Sequence, residues 1–344
     1  MTSYSESLSK IINTSQSISV DLLNNKTPKN LYSPLNYILS NNGKQIRGIF
    51  ALLVYEMFGG TDSKNLKEIV LAIEALHNFT LIHDDVMDNA NLRRGKDTIN
   101  KKWSNNQAIL SGDLLLIQSY QYLLASKCIS VEMHEQFNKT AIQICEGQQL
   151  DLDFQLKHEI KLEEYFKMIE LKTAALITFS VSAPLYISTV NNPTLQNNTQ
   201  PIFSNSCFHT ETNKNIMNSV GLLLGKLFQI QDDYLDLYGK ESQLGKRIGG
   251  DILEKKKTFL YIEACRRSTL QQRKDLINIY HSCNENKIHV IQSLYDELNM
   301  KDYTFNTIQK MHEQLVDLIS DIEVPIHKKD SFIEFIELIL KRNF

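Results

Sequence analysis

The sequence predicts an almost wholly α-helical protein, and three observations carry that prediction. Apolar residues recur at three- and four-residue steps nearly throughout the 344 residues, as in Leu66, Ile69, Val70, Ile73 and Leu76, and again in Leu162, Tyr165, Phe166 and Ile169; this is the period of a helix that buries one face. Glycine (13) and proline (6) are scarce against typical usage of roughly 7% and 5%, and sheet folds need more turns than that. The balance of 42% apolar to 22% charged residues is that of a soluble globular chain and excludes disorder as its main state.

In order along the chain, the periodic segments are 5–24, 29–40, 44–58, 64–89, 105–127, 130–152, 161–187, 213–239, 251–267, 272–300, 303–321 and 328–342. Glycine pairs at Gly59-Gly60 and Gly249-Gly250 read as helix ends. The stretch 190–213, rich in Asn, Thr and Ser with Pro193 and Pro201, breaks the pattern. It reads as a surface loop within one domain covering 1–344, in preference to a linker, because two similar acidic motifs lie on either side of it.

A net charge of −3 creates no overall field toward nucleic acid or an anionic membrane, so an anionic ligand must be held locally. The five scattered cysteines, Cys128, Cys145, Cys207, Cys265 and Cys283, show neither disulfide-framework nor zinc spacing. A reducing cytoplasm fits them. The start, Met1-Thr2-Ser3-Tyr4-Ser5-Glu6, lacks the basic and apolar regions of a secretory signal, and no run of 18 apolar residues suggests a membrane span.

Leu81-Ile82-His83-Asp84-Asp85-Val86-Met87-Asp88 sets three carboxylates at i, i+1 and i+4, within an arc of about 100° on a helix. Gln229-Ile230-Gln231-Asp232-Asp233-Tyr234-Leu235-Asp236 repeats the spacing. Alone, such a face is as often solvated surface. However, Glu74 is the one acid or base between Ile69 and Ile82 apart from His77, and Lys226 the one charge between Val220 and Gln231, so both helices read as central. Carboxylates converging in a partly dry site cost several kcal/mol each if uncompensated. An oxygen-only, highly charged donor set selects a hard cation; Mg²⁺ binds through a few carboxylates plus substrate phosphates.

Arg93-Arg94-Gly95-Lys96 follows the first cluster and suits a metal-bound diphosphate; simple surface charge balance is the alternative. Gly43-Lys44-Gln45-Ile46-Arg47-Gly48 opens a helix, where free N–H groups favour an anion, although no Walker loop is present. Lys172-Thr173 interrupts an apolar face, and Lys246 and Lys255-Lys256-Lys257 follow the second cluster. Together these cations complement two acidic motifs, as a site for two polyanionic substrates bridged by metal requires.

The chain resembles the trans-type isoprenyl diphosphate synthases, the polyprenyl synthetase family, over essentially its whole length. The resemblance rests on Gly43-Lys44-x-x-Arg47, Asp84-Asp85-x-x-Asp88-x-x-x-x-Arg93-Arg94-Gly95, Gly147-Gln148-x-x-Asp151, Lys172-Thr173, Phe228-Gln229-x-x-Asp232-Asp233-x-x-Asp236, and Gly245-Lys246 with Gly250-Asp251, in family order. It implies the isoprenoid synthase (terpenoid synthase) fold, with antiparallel helices around a central cavity, a homodimer, and head-to-tail condensation of isopentenyl diphosphate with dimethylallyl, geranyl or farnesyl diphosphate. By motif match, Lys44, Arg47, His77 and Arg94 hold isopentenyl diphosphate. Arg93, Lys172, Thr173, Gln229, Lys246 and Lys256 serve the allylic diphosphate. Three Mg²⁺ ions, with Mn²⁺ as a substitute, tie that diphosphate to Asp84, Asp88 and Asp232, supported by Asp85, Asp233 and Asp236. His77 has a plainer reading as a packed histidine, and Gln148 and Asp151 as ordinary helix polarity. Departures from the family are Asn42 before Gly43, Gly48 in place of the usual proline, a polar 190–213 loop longer than the family's, and Lys255 in place of an Asn, which leaves Lys256 and Lys257 as alternatives.

The implied reaction ionises the allylic C1–O bond, lets the double bond of isopentenyl diphosphate attack C1, and returns a proton to the departing diphosphate. Phe79, five before the first aspartate, is where the family often limits chain growth. It stands about 7.5 Å along the helix from Asp84 and roughly 140° around it, whereas Thr80 shares the Asp84 face. A large residue there, without a two-residue insertion in the acidic motif, favours geranylgeranyl diphosphate over farnesyl or longer products. A class I terpene cyclase is the nearest alternative, but its second metal motif is not seen at 232–240; a regulatory subunit tends to lose one acidic cluster, and here both are present.

Overall fold

The computed structural model describes residues 5–20, 26–40, 43–60, 62–187, 210–239, 248–282 and 286–341. The helices are α1 (Glu6–Val20), α2 (Lys29–Ser40), α3 (Ile46–Met57), α4 (Lys67–Met87), α5 (Ile99–Lys102), α6 (Asn105–Ala125), α7 (Val131–Gln155), α8 (Leu162–Ile169), α9 (Ala175–Ser182), α10 (Glu211–Tyr238), α11 (Gly250–Leu253), α12 (Phe259–Arg267), α13 (Leu270–His281), α14 (Lys287–Glu297), α15 (Met300–Ser320) and α16 (Asp330–Lys341). Among the described residues the strands are β1 (Leu92–Arg93) and β2 (Lys96–Asp97), paired antiparallel with Arg93 opposite Lys96. The fold class is all-α, as the periodicity implies.

The differences from the periodic reading have local causes. The basic stretch after α4 is a hairpin, because Arg94 (φ +53°) and Gly95 (φ +74°) both take left-handed backbone at its turn. The segment read as 251–267 divides at 254–258, where Lys255 is left-handed (φ +61°). Gly249 (φ +75°) starts α11 and does not end a helix. The segment read as 272–300 divides into α13 and α14. Most of the 190–213 stretch lies outside the described residues, while 211–213 already belongs to α10.

The chain forms two compact units: residues 1–141, 176–221 and 318–339, and residues 142–175, 222–317 and 340–344. In the first, α4 is the central element, with positions 69 through 76 all buried. Gly112 on α6 makes room for the His83 ring, which a Cβ there would strike. Phe50 on α3 meets Phe332 and Phe335 of α16 edge-on at 5.8 and 5.1 Å. In the second, Phe259 stacks on Tyr303 at 6.2 Å and Tyr261 packs on Tyr280 at 4.2 Å.

Between α8 and α9 the helix opens into a π turn over Glu170–Ala174, a form concentrated at functional sites. Two glycines on neighbouring helices accommodate it: a Cβ on Gly147 of α7 would overlap Lys172 N, and one on Gly225 of α10 would overlap Ala174. The continuous run Leu162–Tyr186 is long and apolar enough to cross a membrane by length and composition, but 78% of its most apolar window is buried, as in a core helix.

Candidate active site

In the first unit, the last turns of α4 carry the first acidic cluster. Asp85 is buried and accepts hydrogen bonds from Arg93 Nε and Nη2 at 2.8 and 2.7 Å. Burial raises its carboxyl to about 6 against the opposing attraction of Arg93. Asp84 and Asp88 lie farther out, half-buried, with Asp84 Oδ2 3.7 Å from Arg93 Nη2. One carboxylate therefore anchors the hairpin arginine while the outer two lie one helical turn apart.

The basic cluster predicted around Lys44 and Arg47 is built on the first turn of α3. Gln45 adopts left-handed backbone (φ +48°) before the helix, and its Oε1 lies 3.2 Å from Ser15 Oγ of α1. Arg47 then points at α4, where its Nη1 donates to His77 Nε2 at 3.1 Å. Burial holds His77 well below its ordinary range, reinforced by Arg47, Arg94 and Arg93. Both effects favour the neutral ring, and because a guanidinium can only donate, Nε2 is the acceptor in this pair. Burial also lowers Arg47 to about 10, so it stays charged at neutral pH. Arg94 closes over the loop: its Cζ sits 2.5 Å from where a Cβ on Gly43 would stand. A side chain at Gly43 would therefore push the Arg94 guanidinium aside. Lys44 is exposed beside it. A pocket adjoining this cluster is lined by Tyr37, Leu81, Asp85, Arg93, Arg94 and Ile99, among others.

In the second unit, α10 carries the second acidic cluster with the same division. Asp233 is buried and accepts from Tyr165 Oη at 2.6 Å, Phe259 N–H at 2.8 Å and Gln229 Nε2 at 2.9 Å. Burial raises it to about 6 in spite of these donors. Asp236, also buried, accepts from Asp251 N–H at 3.1 Å. Asp232 is exposed.

The π turn presents Lys172 and Thr173 from the same unit. Lys172 Nζ pairs with Asp151 Oδ2 of α7 at 2.7 Å, and Thr173 Oγ1 donates to Gln229 Oε1 at 2.9 Å. The bonds form a continuous chain from Thr173 through Gln229 and Asp233 to Tyr165. Gln148 is half-buried near Gly147.

The two lysine alternatives separate clearly. Lys257 is buried, with Nζ 3.1 Å from Lys255 O and 5.2 and 5.4 Å from the Tyr261 and Tyr280 rings. Lys256 is the outward one and pairs with Glu254 at 2.8 Å. Lys246 lies outside the described residues. Phe79 does not share the Asp84 face: its ring meets His83 edge-on at 4.7 Å, and His83 Nε2 lies 3.2 Å from Ile109 O of α6. Phe79 therefore occupies the α6 side of α4.

Sequence reasoning passed over Tyr165, whose hydroxyl has no motif, and the π turn, whose composition matches that of an α-helix. It noted Glu74 only as a lone charge. That residue is buried, and its Oε1 accepts from Gly48 N–H at 3.0 Å.

Among the described residues no three His, Cys, Asp or Glu side chains converge as a ready-made metal cage. The outer aspartates still fit a hard cation, since Mg²⁺ keeps waters and takes substrate phosphate oxygens for the rest of its shell.

The chain matches the polyprenyl synthetase family over residues 28–298. It is 32% identical over 255 residues to a geranylfarnesyl diphosphate synthase of Natronomonas pharaonis, covering 69% of each chain. It is 30% identical over 330 residues to a geranylgeranyl diphosphate synthase of Sulfolobus acidocaldarius, covering 94% of this chain and 93% of that one. A crystal structure of a geranylgeranyl pyrophosphate synthase superposes with a TM-score of 0.85 at 29% identity over the whole of both chains. On these matches the chain belongs to the polyprenyl synthetase family and is a trans-prenyltransferase.

Proposed function

We propose that this chain condenses isopentenyl diphosphate head-to-tail with dimethylallyl, geranyl or farnesyl diphosphate to give a short-chain all-trans product, geranylgeranyl diphosphate. The observation that carries the reading is the division within each acidic cluster. Asp85 and Asp233, with Asp236, are buried and held by protein donors, while Asp84, Asp88 and Asp232 lie toward solvent.

The family uses divalent metal for diphosphate binding, and Asp84, Asp88 and Asp232 are the residues that would hold three Mg²⁺ ions, with Mn²⁺ as substitute. Bound there, the metal would neutralise the allylic diphosphate and make it a better leaving group. Arg93, Lys172, Lys246 and Lys256 bind the same diphosphate, Arg93 and Lys172 by exchanging an internal carboxylate for it. Thr173, its hydroxyl fixed by Gln229, offers a dipole to the allylic cation. Lys44, Arg47, His77 and Arg94 hold isopentenyl diphosphate, with His77 also fixing Arg47 through their 3.1 Å contact. The released diphosphate takes the proton from the condensed chain, so no protein nucleophile is needed.

Phe79, backed by His83 and α6, is the proposed limit on chain growth, and the geranylgeranyl synthases among the relatives support a C20 product. Leu110, Ile117 and Leu124, exposed by 57, 65 and 63% at seven-residue steps on α6, form an apolar stripe that supports a homodimer. The free thiols Cys128, Cys145 and Cys265 suit the cytoplasm.

The test incubates purified protein with labelled isopentenyl diphosphate and each allylic primer in turn, then sizes the dephosphorylated alcohols. A C20 alcohol that requires Mg²⁺ is expected. No condensation with any primer rejects the reading, and sedimentation of Ile117→Asp as a monomer checks the dimer.

A further inference from the structure

The lone acid in the apolar stretch of α4 has no part in the reaction as described. Glu74 is 4% exposed, and its backbone carbonyl accepts from Asn78 Nδ2 at 2.8 Å. Its Oε1 accepts from Gly48 N–H at 3.0 Å, one of the donors that the first turn of α3 leaves without a helical partner. That donor exists because glycine stands where a proline would have none. Burial raises the Glu74 carboxyl, with the Gly48 N–H and the charges of Arg47 and Arg94 drawing it back down. Arg47, the residue before Gly48, reaches His77 of α4 at 3.1 Å, one turn along the same face from Glu74; its Nε has no hydrogen-bond partner, and the nearby Glu74 charge favours its charged form.

We propose that Glu74 is a built-in counter-ion that competes with the substrate diphosphate for the charge of Arg47, and so sets how tightly the empty pocket takes isopentenyl diphosphate. The inference rests on the reading of Arg47 as a diphosphate ligand. In the empty protein, the carboxylate compensates a guanidinium that has lost its water, which stabilises the fold. When the diphosphate arrives, the same carboxylate is a like charge at the edge of its site and weakens binding. Stability of the empty protein and affinity for the anion are therefore opposed through one residue, which positions and tunes Arg47 without touching substrate.

Glu74→Gln keeps an acceptor for Gly48 N–H and removes the charge. It should lower the Tm of the empty protein, yet tighten isopentenyl diphosphate binding by calorimetry about tenfold, an effect of about 1.4 kcal/mol, and enlarge the Tm gain on adding that ligand. Glu74→Asp, which keeps the charge, should leave affinity within about twofold of wild type. A purely structural residue would loosen binding when damaged, so unchanged or weaker affinity in Glu74→Gln, or equal tightening in Glu74→Asp, overturns the proposal. Should Glu74→Gln alone fail to fold, Arg47→Gln is compared with the double variant carrying both changes: the double should have the higher Tm, because it no longer buries an uncompensated carboxylate, and a lower Tm refutes the coupling. If Arg47→Gln binds isopentenyl diphosphate as wild type does, the reading of the site fails, separately from the role of Glu74.

Discussion

Gly147→Ala tests whether the π turn is held by its neighbour. A Cβ at Gly147 would overlap Lys172 N and stand 2.6 Å from Lys172 Cα and 2.7 Å from Leu171 C, where ordinary contact begins at 3.4 Å. These are backbone atoms, so no rotamer change relieves them, and the turn must retreat by nearly an ångström. Overpacking of this kind costs about 1–3 kcal/mol. The helix propensity gained by replacing glycine returns about 1 kcal/mol, which leaves a net loss of about 2 kcal/mol at the upper end. The same displacement lengthens the 2.7 Å Lys172–Asp151 pair and the 2.9 Å Thr173–Gln229 bond beyond hydrogen-bond range. Because a misplacement of about 1 Å can cost on the order of 100-fold in rate, turnover should fall by about 10- to 100-fold. Urea unfolding, read as a lower midpoint at constant m-value, and steady-state condensation measure the two effects. A variant with both the wild-type midpoint and the wild-type turnover would show that the backbone contact constrains neither.

Asp84→Ala and Asp232→Ala should each cut turnover by on the order of 10³-fold with unchanged circular dichroism, since Asp232 is exposed and Asp84 only half-buried; near-native activity in either contradicts the metal assignment. Phe79→Ala should lengthen the product on chromatography, and an unchanged alcohol rejects Phe79 as the limit. Lys257 is held down to about 8 by burial, below the 10.5 it has when unfolded. Between those values the unfolded chain binds more protons, so stability should rise with pH from about 8 to 10.5 on this account. Lys257→Met should be more stable than wild type at pH 7 and should remove that rise from the difference between the two unfolding curves; parallel curves would exclude a buried ammonium.

The readable parts of the molecule were those that act through side-chain type and spacing. The periodic apolar positions of α4 and α10 marked them as central, and the two aspartate spacings placed three carboxylates on one face of each. Which aspartate is anchored and which is outward was not readable. That depends on where Arg93 lands after a hairpin and on Tyr165 reaching across from α8, contacts between segments with no common period. Phe79 was legible as a bulky residue off the Asp84 face, but its backing by His83 and α6 was not.

What escaped altogether is mediated by backbone. The π turn has the composition of any apolar helix, and its only trace in the sequence is Gly147 and Gly225, each accounted for by atoms of the opposed main chain or its Cβ. The bond from Gly48 N–H to Glu74 left an equally faint mark, a glycine in place of a proline and one acid in an apolar stretch, sites 26 residues apart. Neither oddity explains itself. Together they make a donor and an acceptor that the apolar packing of α4 brings into register, and a backbone N–H freed by a substitution becomes useful only where a buried acceptor already waits. The two departures are therefore parts of one arrangement: restoring proline at Gly48 would leave Glu74 a buried charge without its hydrogen bond, a cost of about 1–3 kcal/mol or more that the Arg47 side of the pocket would have to offset.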